Sequence, residues 1–268
     1  MKELTLEIIQ KCANNCNYCS SNSNKFCTYI IEFEKCKDII DQAIELGFTH
    51  INLSGGEPFL HPDIIKICMY IKKKRLKLTI YSSGIFFNNN NKCSISKDLL
   101  FNSRADKIIF NMQTVDKNIY KRTTCSNHSI KLLLKTIKNC IKSDIHTEIN
   151  YVPMTINTNC FREVVNKCKE IGINNINIIK LVNQGRCDDY LELTDLDTLK
   201  FINSVKDIRD INIRVGNSFS CNCNNCKMNN SKVVIRYDGQ VLLCERFKSI
   251  TNDNNIYKRS LKECIKNL

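Results

Sequence analysis

The chain has 268 residues, of which 43% are hydrophobic and 25% charged, a balance typical of a globular protein with room for one medium domain and a small appendage. No apolar run approaches the roughly 18 residues that a membrane-spanning helix needs, which excludes an integral membrane protein of the helical kind. Forty basic against 27 acidic residues give a net charge of +13, which favours polyanionic partners unless it merely reflects a chain crowded with Lys, Asn and Ile.

The 17 cysteines are odd in number and partly clustered, which argues against a secreted disulfide framework. Glu3 and Glu7, in and beside the first apolar stretch, are residues a signal peptide would avoid, so a reducing, cytosolic setting is expected. Cys36, Cys68, Cys140 and Cys168 fall within helical patterns and read as small buried apolar residues.

In chain order, an apolar strand over 4–9 runs into Cys12-Ala-Asn-Asn-Cys16-Asn-Tyr-Cys19. Such a loop can wrap three thiolates around one corner of a cubane [4Fe–4S] cluster and leave one iron open, although a zinc site or a chance cluster would also fit the spacing. A helix over 33–46 stops at Gly47, and a strand over 48–53 ends at Ser54-Gly55-Gly56-Glu57-Pro58. The two glycines would let the backbone approach a ligand closely, and Glu57 offers a carboxylate to an ammonium group; the alternative is a plain turn. A helix over 63–75 ends in Lys72-Lys-Lys-Arg75, where the helix dipole alone favours positive charge. A strand over 76–81 closes with Ser82-Ser83-Gly84, and the Asn-rich residues 88–93 read as an exposed loop.

A fourth strand over 107–112 leads into Gln113 and, nine residues on, Arg122. Then follow a helix over 129–142, a strand over 146–152, a helix over 161–171 and a strand over 176–182. The turn Asn183-Gln184-Gly185-Arg186 follows that strand and could line a cleft. Six strand–helix units in succession predict parallel strands with right-handed crossovers, two short of a closed eightfold barrel. The motifs follow strand ends, where parallel α/β folds carry their sites.

After a helix over 196–209, Cys221, Cys223 and Cys226 precede a hairpin over 233–243 that turns at Asp238-Gly239 and ends at Cys244. The hairpin would return Cys244 to Cys226, so four thiolates can close an iron–sulfur cluster or a structural zinc site. Cys187 is a spare candidate.

The CxxxCxxC spacing with Tyr18 before its last cysteine, paired with Gly55-Gly56-Glu57-Pro58, resembles the radical SAM enzymes. The resemblance implies a partial (β/α)6 TIM-like barrel over 1–210, with a [4Fe–4S] cluster on Cys12, Cys16 and Cys19 and S-adenosylmethionine at its open iron. It places Gly55, Gly56 and Glu57 at the cofactor's amino group, with Tyr18 and Pro58 in the same motifs. Ser83 stands where the family often has an asparagine. Asn111 and Gln113 stand where its peptide-modifying branch has Ser and Asp, and Arg122 stands at an arginine that pairs the cofactor's carboxylate.

The cysteine, the hairpin, and Gly239 followed by Cys244 resemble the SPASM domain or its shorter twitch form, implying a cysteine-rich β-hairpin appendage over 211–268. Only Cys264 lies downstream, so one auxiliary cluster, on Cys221, Cys223, Cys226 and Cys244, is expected. The implied reaction is reductive cleavage of S-adenosylmethionine to a 5′-deoxyadenosyl radical that abstracts a hydrogen atom, with the auxiliary cluster handling an electron. The favoured substrate is a side chain of a ribosomal peptide or protein, with an electron donor such as flavodoxin or ferredoxin as partner. No N-terminal leader-binding domain is expected, because the first strand starts so near Met1. A twitch-type dehydrogenase of a small molecule is the alternative within the family; a zinc or iron–sulfur nucleic-acid-binding module is the alternative outside it. Neither nucleic acid nor a membrane is the expected partner.

Overall fold

The computed structural model describes residues 2–88, 91–219, 232–244 and 253–266. Six parallel strands form its centre: β1 (Glu3–Ile9), β2 (His50–Gly55), β3 (Lys77–Ser82), then, past a hairpin of β4 (Ile85–Asn88) and β5 (Asn91–Ser94), β6 (Lys107–Asn111), β7 (His146–Tyr151) and β8 (Asn175–Ile178). The helices α1 (Phe33–Glu45), α2 (Ile64–Lys73), α3 (Lys97–Asn102), α4 (Lys117–Thr124), α5 (Lys131–Ile141) and α6 (Phe161–Ile171) fill the crossovers. Beyond α7 (Asp195–Lys206), β9 (Asn212–Val215) joins β8 in parallel. At the other edge β10 (Lys232–Ile235) lies parallel to β1, and β11 (Val241–Leu242) folds back on it. The short helix α8 (Leu261–Lys266) packs against α1, with Leu261 N donating to Gln42 Oε1 at 2.6 Å. The sheet order β11-β10-β1-β2-β3-β6-β7-β8-β9 is that of an open, mostly parallel α/β barrel, as predicted.

The strands alternate, and the alternation decides what the barrel can hold. One row (Leu4, Leu6, Ile8, Ile51, Leu53, Leu78, Ile80, Ile108, Phe110, Ile149) is buried in a single core with the inner faces of the helices. Parallel strands covered on both faces would be apolar on both. Here the opposite row is polar: Asn52 donates to Thr5, His50 bonds Thr79 at 2.8 Å, and Asn177 bonds Glu148 at 2.8 Å. The concave face is therefore built for polar contents. Cys36, Cys68, Cys140 and Cys168 are wholly buried on helices, as their spacing predicts.

Two local expectations need correction. The Asn-rich stretch 88–93 is no plain loop: it includes the end of β4 and the start of β5, paired antiparallel from Ile85–Ser94 to Asn88–Asn91. Ile85 is wholly buried, Phe86 and Phe87 pack on the core, and this outweighs the turn preference of asparagine. The strand expected over 176–182 stops at Ile178, because its tail serves a second apolar cluster of Val152, Met154, Leu181 and Leu191.

Candidate functional site at the carboxyl end of the sheet

The loop leaving β1 is a closed excursion. Cys12 N donates to Asn24 O at 3.0 Å, Gln10 N to Tyr29 O at 2.9 Å, and Ile31 N returns to Ile8 O at 2.9 Å. Three other segments pin it from outside. At the exit of β2, Gly56 N donates to Ile9 O at 2.6 Å and Glu57 N to Lys11 O at 2.9 Å. A Cβ on Gly55 would stand 2.2 Å from Ile9 O, and one on Gly56 2.2 Å from Lys11 O, so the glycines are required by this backbone itself. From α4, the carbonyls of Thr124 and Thr123 accept Asn15 N and Asn17 N.

From the exit of β8, Gly185 passes so close that a Cβ would lie 2.4 Å from Ser20 O. Arg186 N then donates to Cys19 O at 3.0 Å, its Nε to Cys16 O at 2.9 Å, Nη1 to Asn22 Oδ1 at 2.9 Å and Nη2 to Ser23 O at 2.6 Å. The sequence marked this turn only as a possible cleft lining; it is a clamp on the cysteine loop.

Within the loop Cys12 is buried and Cys16 and Cys19 are half-buried. Burial pushes the Cys12 thiol up to about 12, with Glu57 and Cys19 adding to it. Burial also pushes Cys16 well up, with Cys12 and Cys19 adding. The surroundings of Cys12 and Cys16 are thus hostile to bare thiolates and suited to a cationic metal core. Ser23 N donates to Cys19 Sγ at 3.3 Å, the kind of contact that steadies an iron–sulfur thiolate. Among the described residues no three His, Cys, Asp or Glu side chains gather around a single metal ion.

Asn14 Oδ1, Asn17 Oδ1, Ser23 Oγ and Gln113 Nε2 are buried with no hydrogen-bond partner, so the loop and its surroundings hold polar atoms still to be satisfied. Gln113 is fixed by its other end, Oε1 accepting Val152 N at 2.6 Å. It adjoins Tyr18, whose hydroxyl neighbours Cys16 and whose ring rests on the second apolar cluster.

Glu57 is wholly buried and already engaged. Its carboxylate accepts Ser82 Oγ at 2.9 Å, Ser83 N at 2.7 Å, Ser83 Oγ at 2.5 Å and Phe59 N at 3.3 Å. Burial pushes it up to about 7 against the pull of these donors. The side chain therefore ties the exits of β2 and β3 together, beside Cys12. Pro58 is buried at the start of a 3-10 turn, and Asn111 is half-buried at the end of β6. Arg122 is exposed in the last turn of α4, whose buried face carries Tyr120, Thr123 and Thr124 instead. Cys244 is half-buried just after β11; Cys221, Cys223 and Cys226 lie outside the described residues.

The family model of the radical SAM superfamily matches residues 6–168. Among curated proteins the chain is similar to a probable GTP 3',8-cyclase of Methanococcus maripaludis, 25% identical over 175 residues that cover 64% of this chain and 57% of that protein. A probable GTP 3',8-cyclase of Methanocaldococcus jannaschii is likewise 25% identical, over 179 residues, 64% of this chain and 56% of that one. The chain spans a little over half the length of these relatives. Among solved structures, Streptococcus suis SuiB bound to precursor peptide SuiA superposes with a TM-score of 0.76 at 16% identity, covering 97% of this chain and 63% of that one. Native anSMEcpe with bound AdoMet and Cp18Cys peptide gives 0.74 at 17% identity, covering 98% and 80%. At these identities the two structures establish likeness of fold.

Proposed function

Because the chain belongs to the radical SAM superfamily, we propose that Cys12, Cys16 and Cys19 hold a [4Fe–4S] cluster whose open iron receives S-adenosylmethionine. When bound, the pair supplies a 5′-deoxyadenosyl radical able to remove a hydrogen atom from substrate. The observation that carries this reading is the gathering of three thiols at the carboxyl end of β1, in a loop pinned from β2, α4 and β8. The chain's own residues position and shield. Gly55, Gly56, Glu57 and Pro58 wall the loop on one side, with Ser83 held to Glu57. Gln113 offers its unpaired Nε2 and Tyr18 its hydroxyl on the other, while Asn111 borders the polar concave face.

For the substrate we favour a side chain of a peptide or protein. Support comes from the polar interior and from two structural neighbours whose complexes contain peptides. A second reading, a purine nucleotide, is favoured by the curated relatives, named as probable GTP 3',8-cyclases, and by the +13 charge. Anaerobic incubation of the iron-reconstituted protein with S-adenosylmethionine and dithionite should yield 5′-deoxyadenosine; none from a fully loaded protein would refute the activity. Deuterium appearing in 5′-deoxyadenosine from a labelled peptide, but not from labelled GTP, supports the first reading, and the reverse supports the second.

We also assign residues 211–268 to a SPASM- or twitch-like element in which Cys221, Cys223, Cys226 and Cys244 hold an auxiliary cluster. The support is the hairpin turning at Asp238-Gly239, which sets Cys244 just past β11. Iron analysis decides: about eight irons per chain are expected, whereas about four with one zinc would retire the assignment.

A further inference from the structure

Among the described residues the sheet ends at β9, and no further strand pairs with the outer side of that strand. Asn212 N donates to Asn174 O at 3.0 Å and Gly216 N to Ile178 O at 2.8 Å, so both residues spend their amides on the β8 side. Backbone groups alternate in direction along a strand, which turns the N–H and C=O of Ile213 and Val215 outward.

A groove of about 590 Å³ runs beside this edge, between β9 and the end of α7. Its volume falls within the roughly 300–1,000 Å³ usual for built ligand sites. Val205 and Ile208 wall it from the helix side, and Ile213 and Val215 from the strand. Val215 is 36% exposed and Ile213 half-buried, so apolar surface is left showing along the groove. Its charges do not balance. Lys206 and Arg209 line it and are exposed, and Lys206 Nζ donates to Asn203 Oδ1 at 3.0 Å. Among the described residues neither cation has an acidic partner, and the carboxylate of Asp210, which also lines the groove, is held by Lys169 at 2.8 Å.

The edge also leads to the reacting end of the molecule. β9 runs parallel to β8, and Lys180 N donates to Ser218 Oγ at 3.3 Å, which joins the exits of the two strands. The exit of β8 continues to Gly185 and Arg186 on the cysteine loop. A strand laid along β9 therefore has one of its ends at the end of the sheet that carries Cys12, Cys16 and Cys19.

We propose that this edge and groove bind an extended, acidic segment of the peptide substrate, added to the sheet as one more strand beside β9. The proposal rests on the peptide reading given above. Main-chain bonds to Ile213 and Val215 would supply affinity, with apolar side chains in the groove and carboxylates on Lys206 and Arg209 setting the choice of segment. A second copy of the chain is the poorer occupant, because joining two such edges would crowd both pairs of cations into one interface.

The test uses a short synthetic peptide alternating valine and glutamate, the same peptide with lysine for glutamate, and GTP. Hydrogen–deuterium exchange over residues 211–216 is followed in the anaerobic, iron-loaded protein as each is titrated. The glutamate peptide is expected to slow exchange there, and the lysine peptide and GTP to leave it unchanged. Val215→Pro removes an outward N–H that the fold does not use, and is expected to weaken the glutamate peptide about 3- to 10-fold, the worth of one hydrogen bond. Lys206→Glu combined with Arg209→Glu is expected to weaken it about 10-fold or more and to admit the lysine peptide. Formation of 5′-deoxyadenosine without substrate should be unchanged in all of these variants. If urea unfolding shows that Val215→Pro disturbs the fold, the charge-reversed pair decides. No slowing with the glutamate peptide, equal slowing with the lysine peptide or GTP, or a sedimenting dimer that Val215→Pro dissociates overturns the proposal. A protein that transfers deuterium from a labelled peptide yet shows no protection at 211–216 loses this surface and keeps the peptide reading. Transfer from labelled GTP alone removes both.

Discussion

Gly56 and Gly47 are both glycines for physical reasons, but the reasons differ, and mutation separates them. Gly47 sits at φ +77° with open space around it, so a side chain there meets only backbone strain. Gly47→Ala is expected to cost about 1 kcal/mol, the usual penalty for a non-glycine in the left-handed region. Gly56 has no space: its Cβ would collide with the carbonyls of both Lys11 and Gln10, at 2.2 and 2.4 Å. Gly56→Ala must displace the base of the cysteine loop, so a loss of about 3 kcal/mol or more in urea unfolding is expected, with poor iron uptake on reconstitution. The residue types were legible in the sequence, but the partner was not. The glycines read as room for a ligand, and the structure shows that they also leave room for the neighbouring strand's exit.

At the scale of elements, the exit of β8 is the part whose role the sequence least disclosed. Arg186 makes four hydrogen bonds to residues 16–23, which are more than 160 positions away along the chain. Arg186→Gln removes the charge-assisted bonds and is expected to destabilise the fold by about 2–3 kcal/mol in urea denaturation. Its iron content after desalting should fall further than that of an equally destabilised helix variant, because the strain is local to the cysteines. Arg186→Lys restores charge but not the fork, and should recover little. The β4–β5 hairpin was hidden for a different reason: its asparagines carry turn signals, while its pairing and packing depend on where α5 and the core lie.

For the whole molecule, the polar concave face has a measurable signature. Glu148 is buried, which by itself would raise its pKa, yet hydrogen bonds from Asn177, Lys107 and His146 hold it down to about 2. A carboxylate depressed on folding stabilises the protein above its unfolded pKa, and that stability drains away as pH falls toward the folded value. Between about pH 6 and about pH 3, urea unfolding should show the gap between wild type and Glu148→Gln closing as acid is added, most steeply below about pH 4.5. A pH-independent gap would show that Glu148 does not hold its proton affinity so low in the fold. No helix among the described residues is long and apolar enough to cross a membrane.

The sequence alone determined the local facts: periodicities of 2 and 3.6 set the six central strands and most helices, and the spacing of Cys12, Cys16 and Cys19 with Gly55-Gly56-Glu57 set the family. Only the tertiary structure decided which side chains meet across the chain: Arg186 on the cysteine loop, Glu57 on Ser82 and Ser83, Lys92 on Ser126, and Arg122 turned outward. Short-range pattern is written in neighbouring residues, whereas these contacts arise from strand order and register, which bring distant exits to one end of one sheet.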